Sequence, residues 1–432
     1  MRSAHDNPPQ PTEQRTIAVI GAGVSGLTAA YILAKSCTVT VYEGESRLGG
    51  HAHTHDVVDP AGNLLAVDTG FIVHNDRTYP QLRRLFGELG VRTRPTEMSM
   101  SIRDLSSGLE FAGGRGAKGI FAQRRRVVDL RFLSMLAHVR RFHVLANTFL
   151  RKADETDQTT YGDFLRSHRF SERFMRLYAV PVVSCVWSMG AGAALDYPAR
   201  YLFRFLSQHG MLALTDSPQW LTVVGGSRTY VAAIASRLPH VRTAQSVVQV
   251  LRDDDGVSVQ DKSGTWNRFD AIVIATHADQ ALALLADASV DEKEVLGAFR
   301  YSRSETVLHT DSRLLPTTRQ ARASWNYLTP PDADDDHAPV VTYWMNRLQG
   351  LETTEQYLVT LNGINRIDPN AVLAEMDYEH PIYDLAAVEA QARLPSLSTP
   401  RLAFAGAYHG WGFHEDGCRS GVDAARVLGV NW

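Results

Sequence analysis

The sequence predicts an α/β fold that opens on a Rossmann-type βαβ unit. Two observations predict it. An apolar run near the N-terminus ends in GxGxxG, and a second β-rich run closes on an acid about twenty residues later.

The bulk properties agree. The chain has 432 residues, 44% hydrophobic and 21% charged, enough for two domains or one bilobal body. A formal net charge of -3 gives no sign of nucleic-acid binding. Cys37, Cys185 and Cys418 are scattered and odd in number, which argues against a disulfide framework and fits a reducing cytoplasm. The stretch MRSAHDNPPQPTEQR, residues 1–15, is polar and Pro-rich and reads as a loose tail, not a signal peptide. No apolar run is long enough to span a bilayer.

In TIAVIGAGVSGLTAAYILAKSCTVTVYEG, Ile17 to Ile20 has the composition of a buried parallel strand. Gly21, Gly23 and Gly26 follow, with Val24 and Ser25 between them, and Leu27 to Ala34 is helical in composition. Val39 to Tyr42 makes the second strand, which ends at Glu43 and Gly44. The glycines permit a tight turn, close approach to a pyrophosphate and helix–strand packing, and the acid is placed for a ribose hydroxyl.

Glu43 begins ExxxRxGG, with Arg47, Gly49 and Gly50. This resembles the FAD-binding motif of the flavin-dependent amine oxidoreductase superfamily, which includes monoamine oxidases, protoporphyrinogen oxidases and carotenoid desaturases. The residue after the glycine pair is often Arg in that family and is His51 here. The departure leaves phosphate neutralisation to Arg47 and backbone amides. His51, His53 and His55 form HxHxH, which on a strand shares one face, but no acidic or Cys partner accompanies them and no metal is expected.

Later blocks resemble the same family in order along the chain. In DTGFIVHN, Thr69 and Gly70 would pass the isoalloxazine edge and Phe71 to His74 would lie nearest the flavin; a plain turn into a helix is the alternative. Gly225 and Gly226 match a second glycine-pair block, and Val247 and Val248 would meet the adenine. Asp253 to Asp255 reads as a solvated hairpin turn. No second GxGxxG-plus-acid unit exists for a built-in NAD(P) domain. The last block is LAFAGAYHGWGFHEDGCRSGVDAARVLG, in which Gly406, Gly417, Ser420 and Gly421 match a strand–loop–helix start aimed at the flavin.

The resemblance implies a glutathione-reductase-like FAD domain from residues 16–80, 216–284 and 396–432. It is interleaved with an α+β substrate domain from residues 81–215 and 285–395. The segments DTGFIVHN, YWMNRLQ and GAYHGWGFHEDG are closest to predicted flavoproteins associated with cyclopropane-fatty-acid synthase-type lipid methyltransferases. Related flavoproteins desaturate or isomerise fatty acyl chains. Amine oxidases of the superfamily commonly carry a Lys near flavin N5. The equivalent stretch, Glu305 to His309, has none, and the whole chain has five lysines, of which Lys293 is nearest.

Trp187, Trp325, Tyr327, Tyr343 and Trp344 suit a pocket for an apolar chain or a cation, or plain core. VTYWMNRLQ is read as the pocket strand, with Tyr343, Met345 and Arg347 on one face. The expected reaction takes hydride from an unsaturated acyl chain, free or in phospholipid. His409 or His414 would act as a base of pKa near neutral, with Trp411 and Tyr343 lining the site. Two rivals stand: an amine or amino-acid oxidase releasing hydrogen peroxide, and a flavin-bound non-catalytic partner of a lipid methyltransferase. Between Arg115 and Lys152 ten basic residues face one acid, Asp129, with Val128, Phe132, Met135, Leu136, Val139 and Phe142 at helical spacing. That pattern is either a helix with a solvated basic face or a surface drawn to anionic lipid, so the expected location is cytoplasmic with peripheral contact at the inner membrane face.

Overall fold

A computed structural model describes residues 14–213, 217–330 and 339–432. Residues 1–13 of the expected tail lie outside the described residues; Arg15, its last, is pinned by bonds from its guanidinium to the carbonyls of Leu428 and Pro400.

The chain opens as the motif demands. β1 (Thr16–Ile20) leads through the glycines into α1 (Val24–Leu33) and on to β2 (Thr38–Tyr42). β1 is apolar from Ile17 to Ile20 because it lies inside a five-stranded parallel sheet, ordered His240–Arg242, β2, β1, Ala271–Ile274, Leu402–Phe404. Three distant stretches of chain therefore build one sheet. α1 has no polar face because the sheet covers one side and the C-terminal helix His414–Val427 covers another. After β2 come the hairpin of β3 (Thr54–Val58) and β4 (Leu64–Asp68), and then α2 (Pro80–Leu89). The expected boundary at residue 80 assigns α2 to the substrate domain, yet its Leu82, Leu85, Phe86 and Leu89 enter the same core as α1.

The second body is a seven-stranded sheet, ordered Val372–Ile382, Arg300–His309, Leu358–Leu361, Val340–Trp344, Trp325–Thr329, Met100–Asp104, Leu109–Gly113. It is antiparallel except where Trp325–Thr329 runs parallel to Met100–Asp104. Helices Leu130–Lys152, Val180–Trp187 and Ala199–Gln208 accompany it. The meander Val247–Asp253, Gly256–Asp261, Trp266–Phe269 turns at Asp253–Gly256, where the Asp253 carboxylate accepts from Asp255 and Gly256 and pairs with Arg268.

Two expectations are corrected. VTYWMNRLQ is not one strand: Val340–Trp344 is extended and Met345–Leu348 turns helical, because the Asn346 side chain ties itself to the Glu355 carbonyl and the Tyr357 amide. Met345 is therefore core, and Arg347 pairs with Glu97 rather than sharing a face with Tyr343. Val128 is not core either; it is 81% exposed. The Asp129 carboxylate accepts from the amides of Arg131 and Phe132 and starts the helix after Val128, so the buried stripe is Phe132, Met135, Phe142 and Ala146.

Candidate active site

The nucleotide cradle is built from two glycine turns that meet. Gly21 ends the first strand, and a methyl on Gly26 would land on the Gly21 carbonyl. Gly23 caps α1 with no side chain bonded to that end and no acid in the first turn, and nothing lies within 4 Å of where its Cβ would be. The amides of Val24 and Ser25 open this helix, so the end suits an anion. Gly49 donates to the Ala22 carbonyl at 2.8 Å, which brings Gly50 against Gly23. Arg47 donates to the Gly50 carbonyl at 2.7 Å and pairs with Glu45, so its guanidinium holds the turn.

The Glu43 carboxylate accepts from Ala22 N at 2.8 Å and Glu45 N at 2.9 Å, which fixes its direction at the end of β2. Gln245 N donates to the Glu43 carbonyl and Ala244 N to that of Glu45, while a side chain on Gly44 would meet Ser246. The strand that follows is thus laid beside the cradle. It bulges between Val247 and Gln249, and Val248 is 47% exposed there.

The next wall is polar. Phe71 N donates to the His51 carbonyl and Thr69 N to that of His53, so the segment Thr69–Gly70–Phe71 lies along the histidine run. The strand Val372–Ile382 delivers Tyr378 and His380 to the same place. The Tyr378 hydroxyl lies 2.8 Å from Thr69 Oγ1 and 3.0 Å from His53 Nδ1, and the His51 ring stands 5.0 Å from Tyr378 and 5.3 Å from His380. In register, Ser304 sits opposite Tyr378. His51 Nε2, His380 Nδ1 and Ser304 Oγ are buried with no protein partner. Orphaned donors and acceptors of this kind are rare in a finished core and mark a surface built for a polar ligand. Together with the open Gly23, they fit a dinucleotide with a hydrogen-bonding ring. Burial holds His380 at about 4 and His51 well below the ordinary imidazole range. Tyr378, His380 and Ser304 were not picked out from the sequence, although alternation along the strand would have put the first two on one face. Among the described residues, no group of three or more His, Cys, Asp or Glu side chains is arranged to hold a metal.

The C-terminal loop closes the site. Gly406 N donates to Ser420 Oγ at 2.9 Å. The helix begins at His414, so Gly417, Ser420 and Gly421 lie inside it and not at its start. Gly417 is there because a Cβ would come 2.6 Å from Val24 Cγ1, and one on Gly421 would strike the Ser25 carbonyl. These glycines let the last helix seat on α1. Asp416 accepts from Trp411 N and Phe413 N and pairs with Arg419; Glu415 accepts from Gln81 N and Leu82 N, the first amides of α2. Burial raises these two carboxyls to about 6 and about 7. The sequence alone does not single out either one. Asp68 is a third such hub: buried and raised to about 6, it accepts from Ser227, Thr54 and Gln349.

The three candidates in the loop face different ways. His414 stacks on Phe71 at 3.8 Å with Nε2 3.3 Å from the Tyr230 hydroxyl, toward the FAD domain's core. Trp411 faces the substrate domain, 5.5 Å from Tyr201, and its carbonyl accepts from Trp187 Nε1 at 2.9 Å. His409 lies beside Tyr408, its Nε2 buried and without a partner. The expected near-neutral base is not found: burial lowers His409 to about 4 and His414 to about 3. Tyr343 is apart from this loop; it meets Trp325 at 5.4 Å and turns its hydroxyl toward Ser188, the residue after Trp187. Phe205 stacks on Phe413 at 4.8 Å and extends the aromatic wall. All five lysines, Lys35, Lys118, Lys152, Lys262 and Lys293, are exposed.

Residues 24–428 match the family of flavin-containing amine oxidoreductases. The chain belongs to this family. It is an FAD-dependent oxidoreductase, with a Rossmann-type FAD-binding domain and a substrate domain. Among solved structures it is similar to cyclohexylamine oxidase from Brevibacterium oxydans, with 18% identity, a TM-score of 0.69 and coverage of 96% of this chain and 98% of that one. A CLA-producing fatty acid isomerase from P. acnes gives 15% identity, a TM-score of 0.68 and 98% and 100% coverage. Putrescine oxidase with bound putrescine gives 16%, 0.67, and 97% and 99%. No curated protein matches the chain in sequence. Among the described residues no helix is long and apolar enough to cross a membrane.

Proposed function

We propose that the enzyme removes hydride from an unsaturated acyl chain, desaturating it or moving its double bond. The observation that carries this reading is that all five lysines are exposed, whereas the family resemblance puts a lysine beside the ring in amine oxidases. The walls support an apolar substrate. Trp411, Phe413 and Phe205 form an aromatic side, and His209, stacked on Phe205 at 3.9 Å, is held neutral by burial.

Bound FAD supplies the two-electron acceptor for hydride. The protein supplies the rest. Trp187 N–H and Tyr201 O–H hold the carbonyls of Trp411 and Gly410, fixing the loop against the substrate domain and excluding water. His409 Nε2, unpaired and neutral, is the atom to hold a proton released from the chain. Burial keeps the ring neutral, so this nitrogen is free to accept.

The test is mass spectrometry of acyl chains after anaerobic incubation of the FAD-loaded enzyme with unsaturated fatty acids and phospholipids. A new or displaced double bond is expected, reduced about tenfold or more in His409→Phe. Unchanged lipid, with hydrogen peroxide from an amine panel once oxygen is readmitted, would overturn the reading in favour of an amine oxidase.

A further inference from the structure

The substrate domain carries a surface that the chemistry does not use. The turn Arg124–Val128 and the start of the helix Leu130–Lys152 leave three aliphatic side chains in water: Val127 is 51% exposed, Val128 81% and Leu130 80%. Arg124, Arg125 and Arg131 beside them are also exposed. The one acid of the segment, Asp129, is taken up by Arg126 at 2.7 Å and by capping the helix, so the face is left strongly positive. Leu130 and Arg131 border a groove of about 580 Å³ whose other lining residues include Arg126, Arg173 and Ser107.

We infer that this face docks on an anionic phospholipid bilayer. Adjacent aliphatic side chains flanked by arginines lower the free energy of a protein at a headgroup–acyl boundary: the aliphatics leave water and the guanidiniums meet phosphate. A second copy of the chain fits the face poorly, because an isologous contact would set the arginines against themselves. The exposed side of the helix continues the pattern with Arg140 and Val144, the latter 58% exposed. Its buried side is anchored by Phe132 and Phe142, so the face is rigid. The inference does not rest on the acyl-chain reading, although it would place that class of substrate within reach.

Co-sedimentation of the FAD-loaded enzyme with vesicles tests it, and needs no activity. Binding is expected to vesicles of equal parts phosphatidylcholine and phosphatidylglycerol, weakening as salt rises, with little binding to phosphatidylcholine alone. Arg124→Glu with Arg125→Glu, and separately Val128→Asp with Leu130→Asp, are each expected to reduce partition about tenfold or more while flavin absorbance and melting temperature stay unchanged. No vesicle binding, equal binding to neutral vesicles, or variants that bind as the parent does would overturn it. So would conversion of a dimer to a monomer by the aspartate pair without loss of vesicle binding.

Discussion

Gly23 and Gly26 sit in one turn and answer to different forces. Gly26 faces backbone, so a methyl there is overpacked and Gly26→Ala should cost about 1–3 kcal/mol of stability, read as a lower melting temperature. Gly23 faces open space at φ -71°, which any residue adopts. Gly23→Ala should melt within about 2 °C of the parent without cofactor, yet bind FAD about tenfold or more weakly, read from absorbance after dialysis. Equal loss of stability in both would show that the first turn serves packing alone. At this scale the cradle was legible, because spacing alone places Gly21, Gly23, Gly26 and Glu43. The polar wall was not: the contact of His51 with Tyr378 and His380 joins residues more than three hundred positions apart, and no local pattern carries it.

Among the elements, the helix His414–Val427 binds the site together through its two first-turn carboxylates. Glu415 supplies the acceptor for two otherwise unpaired amides of α2, and loss of that acceptor should be costly. Glu415→Ala should destabilise the protein by about 1–3 kcal/mol, and Glu415→Gln, which keeps one oxygen, by less. The pH dependence separates the two roles. The folded carboxyl is raised from 4.5 to about 7, so the native state keeps its proton longer than the unfolded chain does. Its contribution is present below about pH 4.5 and is lost as pH rises through about 7, and Glu415→Gln should flatten that part of the stability profile. Thermal melts across pH check both. That a helix lies here was implied by the family resemblance, but its start was placed at the later glycines and not at His414. The misreading of VTYWMNRLQ has a physical cause: period two continues through Met345, but Asn346 bonds the backbone of Glu355 and Tyr357, and tertiary contact overrides the alternation.

For the whole molecule, burial of histidine sets the acid limit. His53, His74, His209, His309, His380 and His409 are each held at about 4, and His414 at about 3. Unfolding exposes them to an ordinary pKa near 6.5, so the unfolded chain takes up protons between those values and stability falls as pH drops from about 6.5 toward 4. Asp68, Asp416 and Glu415 act in the opposite sense but are fewer. A melting temperature about 10 °C or more lower at pH 5 than at pH 7 is expected. The fold class was legible because the flavin blocks recur in order along the chain, and strands from three distant segments do join one sheet. What stayed hidden was the direction of side chains in the last loop, since only packing against Phe71 turns His414 one way and Tyr201 turns Trp411 the other. The central claim is that the aromatic site takes an acyl chain and not an amine. Anaerobic mixing of the FAD-loaded enzyme with each substrate class, followed by flavin absorbance, tests it most directly. Bleaching by unsaturated acyl chains, lasting in desaturation or transient in isomerisation, with inertness to amines, is the result predicted; bleaching by amines with inertness to acyl chains would contradict it.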